Sequence, residues 1–242
     1  MSNPTAAMLV IGDEILSGRT RDTNTHHLAN ALTGHGIRLS QVRIVSDDHQ
    51  AIVGAVRALG AQFDSVFTSG GIGPTHDDIT VEAVAEAFGV SVAVRADARA
   101  ILQAHYDRQG LELNDARLRM ARIPRGATLI ENPVSAAPGF SLRNVHVMAG
   151  VPAVFQVMVA SILPTLTGGV PLRSQVLNIP RGEGAIAGYL GQLAGAHPEV
   201  SIGCYPYLRD GIHGAHIVVR SSAGAAVDAV IGKLAAQFPE AE

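Results

Sequence analysis

The sequence predicts an α/β protein with a mostly parallel sheet covered by helices on both faces, followed by a small α+β module. Short apolar runs alternate with segments of helical periodicity through the first two thirds of the 242 residues, which is the pattern of right-handed βαβ units. A Gly- and Pro-rich run at residues 166–171 marks a boundary, because the pattern changes after it. We therefore expect one domain over residues 1–168 and a second over residues 172–242.

Each element is predicted from its own pattern. Residues 6–11 are continuously apolar, which is typical of a strand buried on both faces. Residues 48–59 carry apolar side chains at helical spacing, with Asp47 or Asp48 as the N-terminal cap. The predicted strands are residues 6–11, 37–45, 65–68, 90–94, 128–130, 145–148, 175–179, 200–203 and 215–220. The predicted helices are residues 25–32, 48–59, 80–88, 96–109, 115–121, 152–166, 183–193 and 225–238.

Composition and charge exclude several classes of protein. Hydrophobic residues make up 47% of the chain and charged residues 16%, which excludes an intrinsically disordered chain. A net charge of −3 argues against a nucleic-acid-binding protein, and the lack of any run of 18 apolar residues argues against a membrane protein. The single cysteine, Cys204, excludes an intramolecular disulfide and fits a reducing compartment, so we expect a cytoplasmic protein.

The strongest candidate site follows the strand predicted at residues 65–68. Gly70, Gly71 and Gly73 allow the backbone to lie close to a ligand, and exposed N–H groups beside a helix N-terminus form an anion site. Asp77 and Asp78 stand at that same helix start, where a pair of carboxylates favours Mg²⁺ bridging to a substrate phosphate. The alternative is a tight turn in which one Asp only caps the helix.

Three other loops leave predicted strands at the same edge of the sheet, where ligands bind in open α/β sheets. The first carries the carboxylates of Asp13, Glu14 and Asp22, and the alternative for Asp22 or Asn24 is a helix cap. Residues 132–140 and 149–152 are small and punctuated by Gly and Pro, so a planar ligand fits against their backbone, although either pattern taken alone is more often a plain turn.

Taken together, these loops resemble the molybdopterin-binding (MoaB/Mog-like) domain family, and within it most closely the N-terminal domain of competence/damage-inducible protein A (CinA). The resemblance covers about residues 6–166, and the segment after residue 172 is similar to the small module that follows in that subfamily. It is carried by Gly12-Asp13-Glu14-Ile15-Leu16 with Gly18, by Asp22-Thr23-Asn24, by Gly70-Gly71-Ile72-Gly73-Pro74-Thr75 with Asp77-Asp78-Ile79-Thr80, by Asn132-Pro133 and Ala137-Pro138-Gly139-Phe140, and by Gly150-Val151-Pro152.

The resemblance implies a three-layer αβα sandwich that binds a phosphate-bearing ligand, either molybdopterin or a nucleotide. By position, Asp78 and Asp22 match catalytic acidic residues, and Asp77 and Asp78 are the expected metal ligands. The expected ligand- and phosphate-binding residues are Gly70, Gly71, Gly73, Asp13, Ser135, Gly139 and Gly150. Ala136 departs from the family pattern, which often has Gly-Ser or Ser at this point of the loop.

The predicted function is metal-dependent chemistry at phosphorus, with Mg²⁺ or another divalent cation as cofactor. The first hypothesis is a CinA-like pyrophosphatase that acts on nucleotides of the ADP-ribose type. One alternative is a molybdopterin-binding or adenylylating protein of molybdenum cofactor biosynthesis, and another is a binding module without turnover. A homo-oligomer is expected, with a small-molecule partner, no nucleic acid and no membrane.

Overall fold

The chain folds into two compact units that divide between Gly169 and Val170. The structure is a computed structural model that describes residues 3–209 and 211–241. The predicted domains also include residues 1, 2, 210 and 242, which lie outside the described residues. Each unit has its own hydrophobic core, so the two are considered separately.

The first unit is built on a six-stranded sheet in the order β2-β1-β3-β8-β7-β6. Its strands are β1 (Thr5–Ile11), β2 (Arg38–Val45), β3 (Ser65–Ser69), β4 (Val92–Val94), β5 (Arg122–Pro124), β6 (Thr128–Ile130), β7 (Gly139–Leu142) and β8 (Val145–Met148). β1 runs parallel to β2 and β3, and β3 runs parallel to β8, whereas β7 is antiparallel to both β8 and β6. The prediction of a mostly parallel sheet is therefore confirmed, while β4 and β5 form a separate antiparallel pair.

Helices cover both faces of this sheet. They are α1 (Asp13–Leu16), α2 (Asn24–Gly34), α3 (His49–Gln62), α4 (Thr80–Phe88), α5 (Ala96–Arg108), α6 (Asp115–Leu118) and α7 (Pro152–Ile162). Of the two predicted caps for α3, Asp48 is the one used, because its side chain accepts a hydrogen bond from the backbone N–H of Ala51 at 2.8 Å. α4 ends at Gly89, whose backbone is left-handed.

The side chains of β1 divide between two cores, which defines three layers. Ala7, Leu9 and Ile11 pack on one side with residues of α3 and α4. The alternate residues of β1 pack on the other side with residues of α2 and α7. Because successive strand residues point to opposite faces, a continuously apolar strand is the signature of a sheet buried on both sides. The predicted three-layer αβα arrangement is confirmed.

Three short elements were not predicted. The strand β7 includes the last two residues of the loop predicted over residues 132–140. The first loop contains the one-turn helix α1, and β5 precedes the strand predicted at 128–130. A Cβ at residue 139 would lie 2.4 Å from the backbone oxygen of Val147 in β8. The close approach of β7 to β8 therefore requires glycine at this position. Elements of three or four residues show no clear period, so sequence patterning finds some of them, such as β6 and β8, and misses others.

The second unit is a three-stranded antiparallel sheet with two helices. Its elements are β9 (Arg173–Ile179), α8 (Glu183–Ala196), β10 (Ser201–Arg209), β11 (Ile212–Ser221) and α9 (Gly224–Gln237), and the strand order is β10-β11-β9. Residues 205–207, Tyr-Pro-Tyr, lie within β10. Since β10 is an edge strand, a proline there is compatible with the sheet.

No helix among residues 3–209 and 211–241 is long and apolar enough to cross a membrane.

Candidate functional site

A cleft of about 730 Å³ lies at the carboxyl ends of the parallel strands of the first unit. Its walls include Gly12 after β1, Asp47 after β2, residues 70–73 after β3 and Gly150 after β8. The volume is within the range of small-molecule sites, and the position is where open α/β sheets bind ligands.

The glycine-rich loop after β3 forms the floor of this cleft. Gly70 has a φ of 112° and Gly71 a φ of 69°, and added Cβ atoms would lie 2.1 Å from the Ile11 carbonyl oxygen and from Thr80 Oγ1, respectively. The Thr80 hydroxyl donates a hydrogen bond to the Gly70 carbonyl at 3.0 Å, and the Thr80 N–H donates to the Gly71 carbonyl at 3.0 Å. These contacts bind the loop to the first turn of α4 and fix its path.

The amides of this loop remain available to a ligand. Within the described residues, the backbone N–H groups of Gly71, Ile72 and Gly73 donate to no protein acceptor, and all three residues line the cleft. Successive N–H groups without internal partners, next to a helix N-terminus, are the arrangement that holds a phosphate.

Thr75 holds the carboxylate of Asp78 in place beside the loop. Asp78 Oδ2 accepts hydrogen bonds from the Thr75 backbone N–H at 2.8 Å and from the Thr75 hydroxyl at 2.6 Å. The same oxygen would lie 2.6 Å from a Cβ at Gly73, so glycine is needed there to make room for the carboxylate. Asp77 is exposed, and both aspartates line the cleft.

Asp47 is a cleft residue that sequence reasoning treated only as a possible cap. Its Oδ2 accepts a hydrogen bond from the backbone N–H of Asp13 at 2.9 Å. Burial raises the pKa of Asp47, and the negative charges of Asp13, Glu14 and Asp77 raise it further. The order of the strands could have indicated this position. Asp47 follows β2, and β2 pairs in parallel with β1, so Asp47 has to lie at the same edge of the sheet as the first loop.

Asp13 and Asp22, the two acidic site residues expected in the first loop, do not line the cleft. Asp13 contributes its backbone N–H to Asp47, and its exposed side chain does not line the cleft, whereas the neighbouring Glu14 does. Asp22 caps α2, since its Oδ1 accepts hydrogen bonds from the N–H groups of Asn24 at 2.9 Å and Thr25 at 3.2 Å. Asp22 borders a small recess that adjoins the cleft.

The loop after β6 places Ser135 in the cleft through Asn132. The Asn132 Nδ2 donates to Ser135 Oγ at 2.6 Å and to the Ala137 carbonyl at 2.8 Å, while its Oδ1 accepts from the Ser135 N–H at 3.1 Å. Ala136 takes a φ of 61°, a conformation that favours glycine. Gly139 lies in β7 outside the cleft lining, so its role is in strand pairing.

The acidic residues of the cleft suit a cation that takes few protein ligands. Among the residues that the structure describes, no group of three or more His, Cys, Asp or Glu side chains could hold a metal ion by itself. Asp77 and Asp78 are adjacent, and the charges around Asp47 make this side of the cleft electronegative. Mg²⁺ commonly uses one or two carboxylates with water and substrate phosphates, so the residues present fit it.

Each of the two units matches the model of a protein family. Residues 7–168 match the family described as "Probable molybdopterin binding domain". Residues 171–242 match the family described as "FAD synthase, middle domain".

Several known proteins are similar to the chain over most of its length. A CinA-like protein of Citrifermentans bemidjiense is 39% identical over 200 residues, which are 81% of this chain and 48% of that protein. A protein of Archaeoglobus fulgidus is 32% identical over 200 residues, 82% of this chain and 84% of the relative. The chain spans about half the length of the CinA-like proteins that it matches.

One solved structure supports the fold of the first unit. The crystal structure of the protein CinA, of unknown function, from Thermoplasma acidophilum is 35% identical to this chain, with a TM-score of 0.63. The similarity covers 68% of this chain and 99% of that one.

Proposed function

The chain belongs to the family of probable molybdopterin-binding domains, and from this premise we propose that its cleft binds a phosphate-bearing ligand and cleaves nucleotide pyrophosphates of the ADP-ribose type. The observation that carries the proposal is the glycine-rich loop, whose N–H groups at Gly71, Ile72 and Gly73 have no acceptor among the described residues. A phosphate on this loop accepts those hydrogen bonds without requiring a lysine.

A divalent cation is part of the proposal because the cleft is acidic. A pyrophosphate next to Asp47, Asp77 and Asp78 is repelled unless a cation lies between them. Asp77 and Asp78 would hold Mg²⁺, which when bound neutralises negative charge on the pyrophosphate. Thr75 keeps the Asp78 carboxylate beside the loop before any ligand arrives, which lowers the cost of assembling the site.

Asp47 is the candidate base. Burial and neighbouring carboxylates raise its pKa, which makes the ionised carboxylate a better acceptor for a proton from water. In the proposed step a water oxygen forms a bond to phosphorus, the bridging P–O bond breaks, the bridging oxygen leaves with its electron pair on the departing phosphate, and the proton of the water moves to Asp47.

A second candidate function is the handling of molybdopterin, by adenylylation or by binding alone. The match of residues 7–168 to a molybdopterin-binding family favours it. The same loop amides would then bind the terminal phosphate of the pterin.

The test compares the two reactions in one preparation. The protein is incubated with Mg²⁺ and ADP-ribose, or with Mg-ATP and molybdopterin, and the products are separated by chromatography. We expect AMP and ribose 5-phosphate from the first mixture, and Asp78→Asn to slow their release roughly a hundredfold. Asp107→Asn, an exposed carboxylate of α5 outside the cleft, is the matched control and should leave the rate unchanged.

Three results would contradict the pyrophosphatase proposal. Unchanged turnover in Asp78→Asn would remove the site assignment. An adenylylated pterin from the second mixture, with no AMP from the first, would favour the molybdopterin function. Tight binding of either ligand without product would identify a binding module.

A further inference from the structure

A small recess opens beside the cleft, between the first loop and the ends of β3 and β8. Its free volume is about 50 Å³, which is more than the ≈ 30 Å³ that one water occupies in the liquid. The recess shares Glu14, Thr20 and Gly150 with the cleft, and its further lining includes Arg21, Asn24 and Ser69. A ligand in the cleft can therefore extend a small polar group into it.

The amide of Asn24 is fixed at the wall of this recess. Its Nδ2 donates to Ser69 Oγ at 2.8 Å and to the Gly150 carbonyl at 2.7 Å, so both amide hydrogens are used. Because a backbone carbonyl only accepts hydrogen bonds, the Nδ2 must face Gly150 and the amide cannot be turned over. Asn24 is 5% exposed. Because the two hydrogen bonds of Nδ2 fix the orientation of the amide, Oδ1 is the atom left without a partner among the described residues.

The Oδ1 atom of Asn24 is buried and has no hydrogen-bond partner among the described residues. A buried acceptor without a donor is unfavourable, and such groups are rare in folded proteins. The other polar groups at the recess include the carboxylates of Glu14 and Asp22, the guanidinium of Arg21 and the hydroxyls of Thr20 and Thr23, so the recess offers both acceptors and donors. The recess therefore suits an uncharged group that both donates and accepts hydrogen bonds, such as a hydroxyl, and the unpartnered Oδ1 of Asn24 requires one such group to donate.

We infer that this recess binds the vicinal hydroxyl groups of a ribose, with Asn24 Oδ1 accepting from one of them. The inference rests on the proposed function and deepens it, because it selects a ribonucleotide over a ligand that lacks a diol. A carboxylate beside a ribose is a recurrent partner of its hydroxyls in nucleotide sites, and Glu14 is placed for that role.

The first arm of the experiment changes only the ligand. Binding to the wild-type protein in Mg²⁺ is measured by calorimetry with a form of ADP-ribose whose bridging oxygen is replaced by methylene, because the proposed reaction would cleave ADP-ribose itself during the titration. This ligand is compared with two analogues of it, each lacking both hydroxyls on one of the two riboses. We expect one analogue to bind at least about tenfold more weakly and the other to bind like the methylene-bridged ligand. This arm does not depend on the folding of any variant.

The second arm removes the acceptor. Asn24→Ala should abolish the discrimination between the methylene-bridged ligand and the weaker analogue. Asn144→Ala is the matched control, because the Asn144 amide also donates two hydrogen bonds, in this case to the carbonyls of Gly60 and Phe63, and lies outside both the cleft and the recess. The control should keep the full discrimination.

The outcomes separate this inference from the proposed function. If the methylene-bridged ligand and both analogues bind the wild type equally, the recess holds water only and the inference is overturned, while the pyrophosphatase proposal stands. If discrimination persists in Asn24→Ala, another group reads the diol and the inference is also overturned. If none of the three ligands binds, both proposals fail.

Discussion

Burial changes the ionisation of two side chains in the first unit, and both changes have measurable consequences. Asp47 borders the cleft and has a raised pKa, whereas His146 of β8 is 6% exposed and has a lowered pKa of about 4. In each case the charged form is penalised by the loss of water. Folding therefore makes the ionised form of Asp47 less favourable and keeps His146 neutral at pH 7.

Asp47→Asn should raise stability and lower activity. An ionised carboxylate with a raised folded-state pKa costs stability at neutral pH, and an asparagine can still accept the hydrogen bond from the Asp13 N–H. We expect a higher unfolding temperature for the variant together with at least about a tenfold slower release of AMP from ADP-ribose. Equal or lower stability would contradict the electrostatic account of Asp47.

His146 should make the protein sensitive to acid. The folded-state pKa of about 4 lies below the ordinary 6.5, so the unfolded chain binds more protons between these pH values. Stability is then lost as the pH falls from about 6.5 to about 4, by up to about 3 kcal/mol. Urea unfolding across this range should show the loss, and His146→Gln should flatten it. An equally steep loss in the variant would assign the acid sensitivity to other groups.

At the scale of elements, glycines before and after α4 separate two reasons for which glycine is needed, namely the backbone conformation and the lack of space for a side chain. Gly71 and Gly89 have almost the same φ, 69° and 67°, in the range that favours glycine. A Cβ at Gly71 would meet Thr80 Oγ1 at 2.1 Å, whereas a Cβ at Gly89 would meet nothing within 4 Å. The pair therefore separates backbone strain from lack of space.

Gly89→Ala should cost about 1 kcal/mol of stability, from the left-handed backbone alone. Gly71→Ala should cost roughly 1–3 kcal/mol more, because Thr80 must move and its hydrogen bond to the Gly70 carbonyl is lost. Only Gly71→Ala should weaken ADP-ribose binding in calorimetry. Similar losses of stability and binding in both variants would show that the contact with Thr80 has no role in shaping the site.

Most elements of this fold could be predicted from the sequence because their signals are local. β1 was recognised by its apolar run and α4 by its periodicity and its terminal glycine. The sequence does not reveal the short elements α1, β5 and β7, although it predicts β6 and β8 of similar length, because three or four residues give only a weak pattern. β7 depends on a partner, since Gly139 is explained by the nearby carbonyl of Val147 rather than by its neighbours in sequence.

For the molecule as a whole, the residues of the cleft all belong to the first unit. The cleft, the recess and both cores of the αβα layers lie within residues 3–169. A fragment that ends at Gly169 should therefore fold and bind ADP-ribose with the affinity of the full chain. Circular dichroism and calorimetry on the fragment test this, and a folded fragment with much weaker binding would contradict the prediction.

The sequence by itself determined the alternation of strands and helices, the order of the loops and the glycine-aspartate stretch, because these depend on residues close together in the chain. The tertiary structure decided which acidic residues share the cleft. It brought Asp47 beside Asp13 by pairing β1 with β2, and it left Asp22 as the cap of α2. It also committed both amide hydrogens of Asn24 to residues 45 and 126 positions away, which leaves the oxygen without a partner. Such contacts join distant residues, and only the packed sheet fixes their distances.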